Sequence, residues 1–200
     1  MKGHKPIWYI LLFSAVWINS LIGTTDVINW LIENTLTVIA LLFLFYTYKK
    51  FKFSGLSYFL ICIFLCLHVY GSKNTYAENL FGYWLQDVFH SSRNHYDRIV
   101  HFSYGFLLFY PLQEYFNKWL HYPKKIAWFV SILIIIATSG LYEIIEWLVA
   151  AVFFVEEGIS YLGTQGDVWD AQKDMFLASL GVLLAFGIFY ISKQTSNLKE

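Results

Sequence analysis

"IAWFVSILIIIATSGLYEIIEWLVA", residues 126–150, is apolar for most of its length yet carries Glu143 and Glu146 in its second half. About 20 predominantly apolar residues in a helix cross a bilayer core, so the run is long enough to span. A mid-span acidic residue costs ~2.5–3.5 kcal/mol, against ~0.3–0.6 gained per Leu, Ile, Phe or Val. The segment can insert with both glutamates, but tolerance is no reason to have them. Their i, i+3 spacing puts them on one helix face. Ionisable groups in such a place are functional candidates by default.

The rest of the chain agrees with a membrane reading. It is 58% hydrophobic, 21% aromatic and 14% charged, where a soluble domain carries about 25% charged residues. Six apolar windows, at 7–22, 28–47, 55–72, 98–117, 126–150 and 174–192, predict about six transmembrane helices. Lipid cannot satisfy an open backbone, so the spans must be helical. The alternation of a membrane barrel is absent. The expected fold is all-α: one polytopic bundle and one integral-membrane domain over residues 1–200, without internal repeats. The opening "MKGHKPIWYILLFSAVWINS" lacks an A-x-A-like cleavage site and further spans follow it, so it reads as a retained first helix. Cys62 and Cys66 share a helix face and read as packing residues. With zero formal net charge and no basic block, nucleic acid is not an expected partner.

Orientation follows from the short loops. Lys2 and Lys5 precede the first window, Lys49, Lys50 and Lys52 separate the second from the third, and Lys118, Lys124 and Lys125 the fourth from the fifth. Lys193 and Lys199 close the chain. The alternate loops hold less basic charge, so both termini are expected in the cytoplasm of a cell with this protein in its inner (cytoplasmic) membrane. The segments 23–27, 73–97 and 151–173 are expected outside.

That topology brings the ionisable residues to one depth. His68 ends the third window, Asp97 and His101 open the fourth at i, i+4, and Glu143 and Glu146 lie in the outer half of the fifth. Asp167, Asp170 and Asp174 lead into the sixth. Three aspartates at a helix start are more than capping requires. So many carboxylates in little solvent need protons or a cation. Arg98 and Lys173 can supply part of that charge. A divalent metal, zinc, manganese or iron, suits the mixed N/O donors better. The candidate ligands are Asp97, His101, Glu143 and Asp174, with Glu146 or Asp170 as general base and His68, Arg98 and Asp167 as further polar residues. Glu33 and Asn34 lie near enough in the second window to join them. Trp84, Trp147 and Trp169 read as interfacial anchors.

"NHYDRIVHFSYGF" (94–106), "LYEIIEWLVA" (141–150) and "YLGTQGDVWDAQKDM" (161–175) resemble the signature segments of the YjdF family of bacterial inner-membrane proteins. "WLIEN" (30–34) and "YGSKNTYAE" (70–78) resemble that pattern too. The likeness covers about residues 26–185 and departs from it at Lys173, where the family carries an aromatic residue. It implies a multi-spanning membrane domain and names no reaction. A fainter likeness to VanZ-like membrane proteins rests on Asp97–Phe102 and on Asp174–Gly181. Ala178 stands there in place of Asn, and Glu146 in place of Gln.

Three functional classes fit these residues. One is a metal-dependent enzyme acting at the outer leaflet on a membrane lipid or lipid-linked envelope precursor. Another is a non-enzymatic scaffold or binding protein whose polar cluster sets helix register. The third is a proton- or cation-coupled transporter, for which the inner half-spans hold few polar groups and no inverted repeat exists.

Overall fold

The computed structural model of the protein describes residues 7–24, 26–154 and 162–197. Lys2, Lys5, Lys199 and Tyr161, used above, lie outside them. Among the described residues the chain is wholly helical: α1 (Ile7–Leu21), α2 (Val27–Tyr48), α3 (Gly55–Gly71), α4 (Leu80–Phe89), α5 (Tyr96–Glu114), α6 (Lys124–Phe153) and α7 (Asp170–Asn197). A π-turn over Tyr115–Trp119 prolongs α5.

Helices form over all six apolar windows, and their ends follow from local chemistry. Asp26 caps α2 by accepting from Asn29 N–H at 2.9 Å, and Asn79 caps α4 by accepting from the N–H groups of Phe81 and Gly82. Pro123 stands immediately before α6, where its missing N–H costs nothing. The largest departures from the reading of the sequence are in α7, which runs from Asp170 to Asn197 against the expected 174–192, and in α6, which runs on to Phe153.

Helix α4 was not anticipated. Its ten residues are too short for a spanning window, and it leaves Leu80, Phe81, Trp84, Val88 and Phe89 exposed. A short helix with one apolar face suits the membrane–water boundary.

Among the described residues three helices are long and apolar enough to cross a membrane: α2 (22 residues), α6 (30 residues) and α7 over Asp170–Thr195 (26 residues). α1 and α3 are apolar but shorter. Large apolar side chains on α6 and α7, among them Phe129, Leu133, Ile188 and Ile191, point away from the protein. Water would make such a surface a liability, whereas lipid solvates it.

α5 is the central helix. It packs most extensively on α7, then on α3 and α6, while α1 packs on α3 and α2 chiefly on α3. Two apolar clusters result: Phe13, Cys62, Leu65 and Val69 between α1 and α3, and Phe109, Ile135 and Val182 between α5, α6 and α7. Polar pairs add to the first: Trp17 Nε1–H donates to Asn34 Oδ1 at 2.7 Å, and Asn34 Nδ2 to Ser72 Oγ at 3.0 Å. Asn34 therefore ties three helices together.

Candidate functional site: a carboxylate and histidine cluster on four helices

α5 carries the centre of the cluster. Asp97 in its first turn and His101 one turn later face the same way, as i, i+4 residues must. His101 Nε2 lies 3.4 Å from Asp97 Oδ1 and 3.5 Å from Glu143 Oε1 of α6. Asp174, from the second turn of α7, completes the group: one donor atom each from Asp97, His101 and Asp174 fall within 4.8 Å of one another.

Two carboxylate oxygens of the group lack a hydrogen-bond donor. Asp174 is 2% exposed and Glu143 is largely covered, yet Asp174 Oδ1 and Glu143 Oε1 receive no hydrogen bond. Carboxylate oxygens stripped of water and left unbonded are costly. One nitrogen and several carboxylate oxygens, closely grouped and short of donors, form a set that a proton or a small hard cation would satisfy.

A second arc of polar groups lies beside the first. The Tyr142 hydroxyl donates to Glu33 Oε2 at 3.0 Å, and the Tyr142 ring meets His101 edge-on at 5.8 Å. His68 Nε2 faces the Glu33 carbonyl at 3.1 Å, while its Nδ1 faces the Tyr76 hydroxyl at 2.5 Å. A carbonyl only accepts, so Nε2 carries the hydrogen; in the neutral ring Nδ1 then accepts from Tyr76. Burial holds the Tyr76 phenol well above its usual range, which keeps it a donor. Glu33 thus joins the site region. Glu146, half-buried on α6, lies within electrostatic range of Glu33, Asp97, Glu143 and His101.

Asp167 and Asp170 have a different fate. Asp170 Oδ1 lies 2.6 Å from Arg93 Nη2 and 3.3 Å from Arg98 Nη2, and Asp167 Oδ2 lies 2.6 Å from both Arg98 Nη2 and Lys173 Nζ. The Lys173 ammonium, the Trp169 N–H and Arg98 hold the Asp167 carboxyl well below the ordinary carboxylate range. Asp170, expected as one of two candidate general bases, is here a buried carboxylate neutralised by two guanidinium groups.

Arg93 escaped the reading of the sequence as a site residue. Its 7% exposure and its bond from Nη1 to the Thr164 carbonyl at 2.7 Å anchor the glycine-rich segment. Gln165 and Asn94 add a reciprocal pair: Asn94 N–H donates to Gln165 Oε1 at 2.9 Å, and Gln165 Nε2 to Asn94 O at 3.0 Å. Asn94 Nδ2 in turn donates to the Asn79 carbonyl at 2.9 Å. The "GTQGD" segment is therefore a latch that docks the start of α7 onto the start of α5. Gly163 and Gly166 allow its turns with φ of 62° and 82°.

Asp97 and His101 also line a cavity of about 410 Å³, with His68, Tyr76 and Tyr142 at its polar end. Beyond them its walls are mostly apolar, including Leu36, Ala40, Val100 and Leu108, with the hydroxyls of Thr37, Thr138 and Ser139 set among them.

No solved structure matches the chain. It is 34% identical over 163 residues to inner membrane protein YjdF of Escherichia coli (strain K12), an alignment that covers 81% of this chain and 78% of that protein. Residues 5–195 match the family model described as "Predicted membrane protein (DUF2238)". The resemblance read from the five signature segments is thus a relationship along most of the chain, and the protein belongs to this family of membrane proteins.

Proposed function

We propose that the protein is a six-span bundle, both termini cytoplasmic, whose site near the outer leaflet binds a divalent metal and acts on a lipid or lipid-linked envelope precursor. Asp97, His101 and Asp174 hold the ion, Glu143 stands beside them as a fourth donor, and Glu146 is the remaining candidate general base. A bound ion would lower the pKa of a coordinated water and polarise the bond to be cleaved. The observation that carries this reading is Asp174: buried, without a hydrogen-bond donor on Oδ1, and within reach of the Asp97 and His101 donor atoms.

The scaffold reading finds its support elsewhere, in the Arg93–Asp170 and Arg98–Asp167 pairs, which tie the start of α5 and the segment before it to the start of α7 and the segment before it. The two readings therefore apply to adjacent but different sets of residues. The transport reading draws no comparable support, because the cavity leads from the cluster into mostly apolar walls with no further carboxylate or imidazole among the described lining.

Inductively coupled plasma analysis of gently purified protein tests the metal site. A stoichiometric divalent metal in the wild type, lost from folded Asp174→Asn and His101→Ala proteins, is expected. Wild-type protein without metal, even after incubation with zinc or manganese, would end the proposal.

A further inference from the structure

The cavity at the cluster does not end at its apolar walls. A second cavity, of about 290 Å³, shares Ala40, Phe64, Leu65, Tyr104 and Leu108 with it and continues between α2, α3, α5 and α6 to Leu112 and Tyr115. Phe64 and Tyr104 meet there at 5.5 Å between ring centroids. The Tyr104 hydroxyl is occupied by Thr138 Oγ1 at 2.5 Å, so it offers no free polar group to a ligand. The path is ionisable at one end and mostly hydrocarbon-lined along the rest, with the buried hydroxyls of Thr37 and Ser139 among the exceptions in its described lining.

Its length is informative. His101 and Leu112 lie on one helix eleven residues apart, about 16 Å at 1.5 Å per residue. Half of a bilayer's hydrocarbon core of about 30 Å is the depth of one leaflet. A groove with ionisable groups at its mouth and one leaflet's depth of apolar wall has the dimensions of a single extended lipid tail. The larger cavity alone falls within the roughly 300–1,000 Å³ of small-molecule sites, which are mostly apolar with a few placed polar groups.

We infer that the two cavities form one channel that takes a single hydrocarbon chain of an amphiphile, with the head group at Asp97 and His101. This rests on the proposed function for the head group alone. The occupant is a one-chain amphiphile, or one chain splayed from a lipid. The protein then acts on the head of a lipid whose tail it withdraws from the bilayer, and tail length becomes a determinant of substrate choice.

Photo-crosslinking tests the inference. Full-length, manganese-loaded protein in phosphatidylcholine nanodiscs is irradiated with hexadecyl phosphate bearing a diazirine near its tail end, and labelled residues are mapped by mass spectrometry. Labels at Phe64, Leu108 or Leu112, suppressed by untagged hexadecyl phosphate and not by inorganic phosphate alone, are expected. Ala40→Trp, which fills the junction of the two cavities, should reduce channel labelling about tenfold, the effect of losing roughly 1.4 kcal/mol of binding, with metal content unchanged. Leu108→Trp narrows the channel from α5 and serves if Ala40→Trp does not fold. Labels confined to outward residues such as Phe129, Ile136 and Ile188, or channel labels unmoved by competitor or by a folded tryptophan variant, overturn the inference. Channel labelling of a protein that retains no metal sinks the metal reading and leaves this one. Bound metal with outward labels alone does the reverse.

Discussion

Gly105 of α5 and Gly181 of α7 each lie where a side chain would enter the other helix's backbone. A Cβ on Gly105 would strike the Ala178 carbonyl, and one on Gly181 the Phe102 carbonyl. Small residues that let backbones approach are the usual means by which helices associate in lipid, where no hydrophobic effect drives them together. Gly105 is one turn from His101, and Gly181 two turns from Asp174. The close crossing therefore sets the distance across which the cluster forms.

Gly105→Ala and Gly181→Ala should each destabilise the protein by about 1–3 kcal/mol, the usual cost of overpacking. Gly187 on α7 has open space where its Cβ would stand, so Gly187→Ala should be neutral or slightly stabilising. Thermal unfolding of the three variants in one detergent checks the contrast. Equal behaviour of Gly181→Ala and Gly187→Ala would refute the close crossing.

The latch should be acid-sensitive. Asp167 has a folded pKa depressed by Lys173, Trp169 N–H and Arg98, so its ion pairs stabilise the protein fully above the unfolded carboxylate value of about 3.9. That stabilisation fades as pH falls below this value toward the lower folded one. Asp167→Asn removes the titrating group, and the stability difference between wild type and variant should shrink as pH drops from neutral to below that value. A difference independent of pH would show that the carboxylate charge contributes nothing.

At the far end of α5, Glu114 is 1% exposed and caps α3 while pairing with Lys118 one turn on. Its carboxylate accepts from Ser54 N–H, from the hydroxyls of Ser54 and Ser57, and from Lys118 Nζ at 2.6 Å. Glu114→Ala leaves buried donors unsatisfied and should cost about 1–3 kcal/mol. Glu114→Gln keeps an acceptor oxygen and should cost less. Chemical or thermal denaturation of both ranks them, and the opposite order would contradict the cap.

Ligand linkage gives a further expectation for the cluster. A metal bound only by the folded protein stabilises it by about 2.7 kcal/mol at a hundredfold excess over Kd. Zinc or manganese should therefore raise the melting temperature at neutral pH and a chelator should reverse the rise. The effect should weaken in acid, where protons compete for the same donors. Asp174→Asn should lose the response entirely, whereas Arg93→Lys, which alters the latch, should keep it.

The helical, membrane-embedded character of this protein was legible in the sequence because it depends on local quantities. Apolar run length and the impossibility of open backbone in lipid require helices wherever the windows fall. The i, i+3 and i, i+4 spacings likewise placed Asp97 with His101 and Glu143 with Glu146 on shared faces before any tertiary contact was known. The sequence alone also pointed to an excess of acidic groups ahead of α7.

Which of those acids are free was decided only by the fold. Arg98 and Asp167 are 69 residues apart in the chain, and no periodicity links them. The docking of the "GTQGD" segment onto the start of α5 neutralises Asp167 and Asp170 and leaves Asp174 alone beside His101. Helix α4, the Glu114 cap and the channel behind the cluster are of the same kind. Each depends on surfaces from distant segments meeting at van der Waals range, and a pattern of neighbours along one chain holds no record of that.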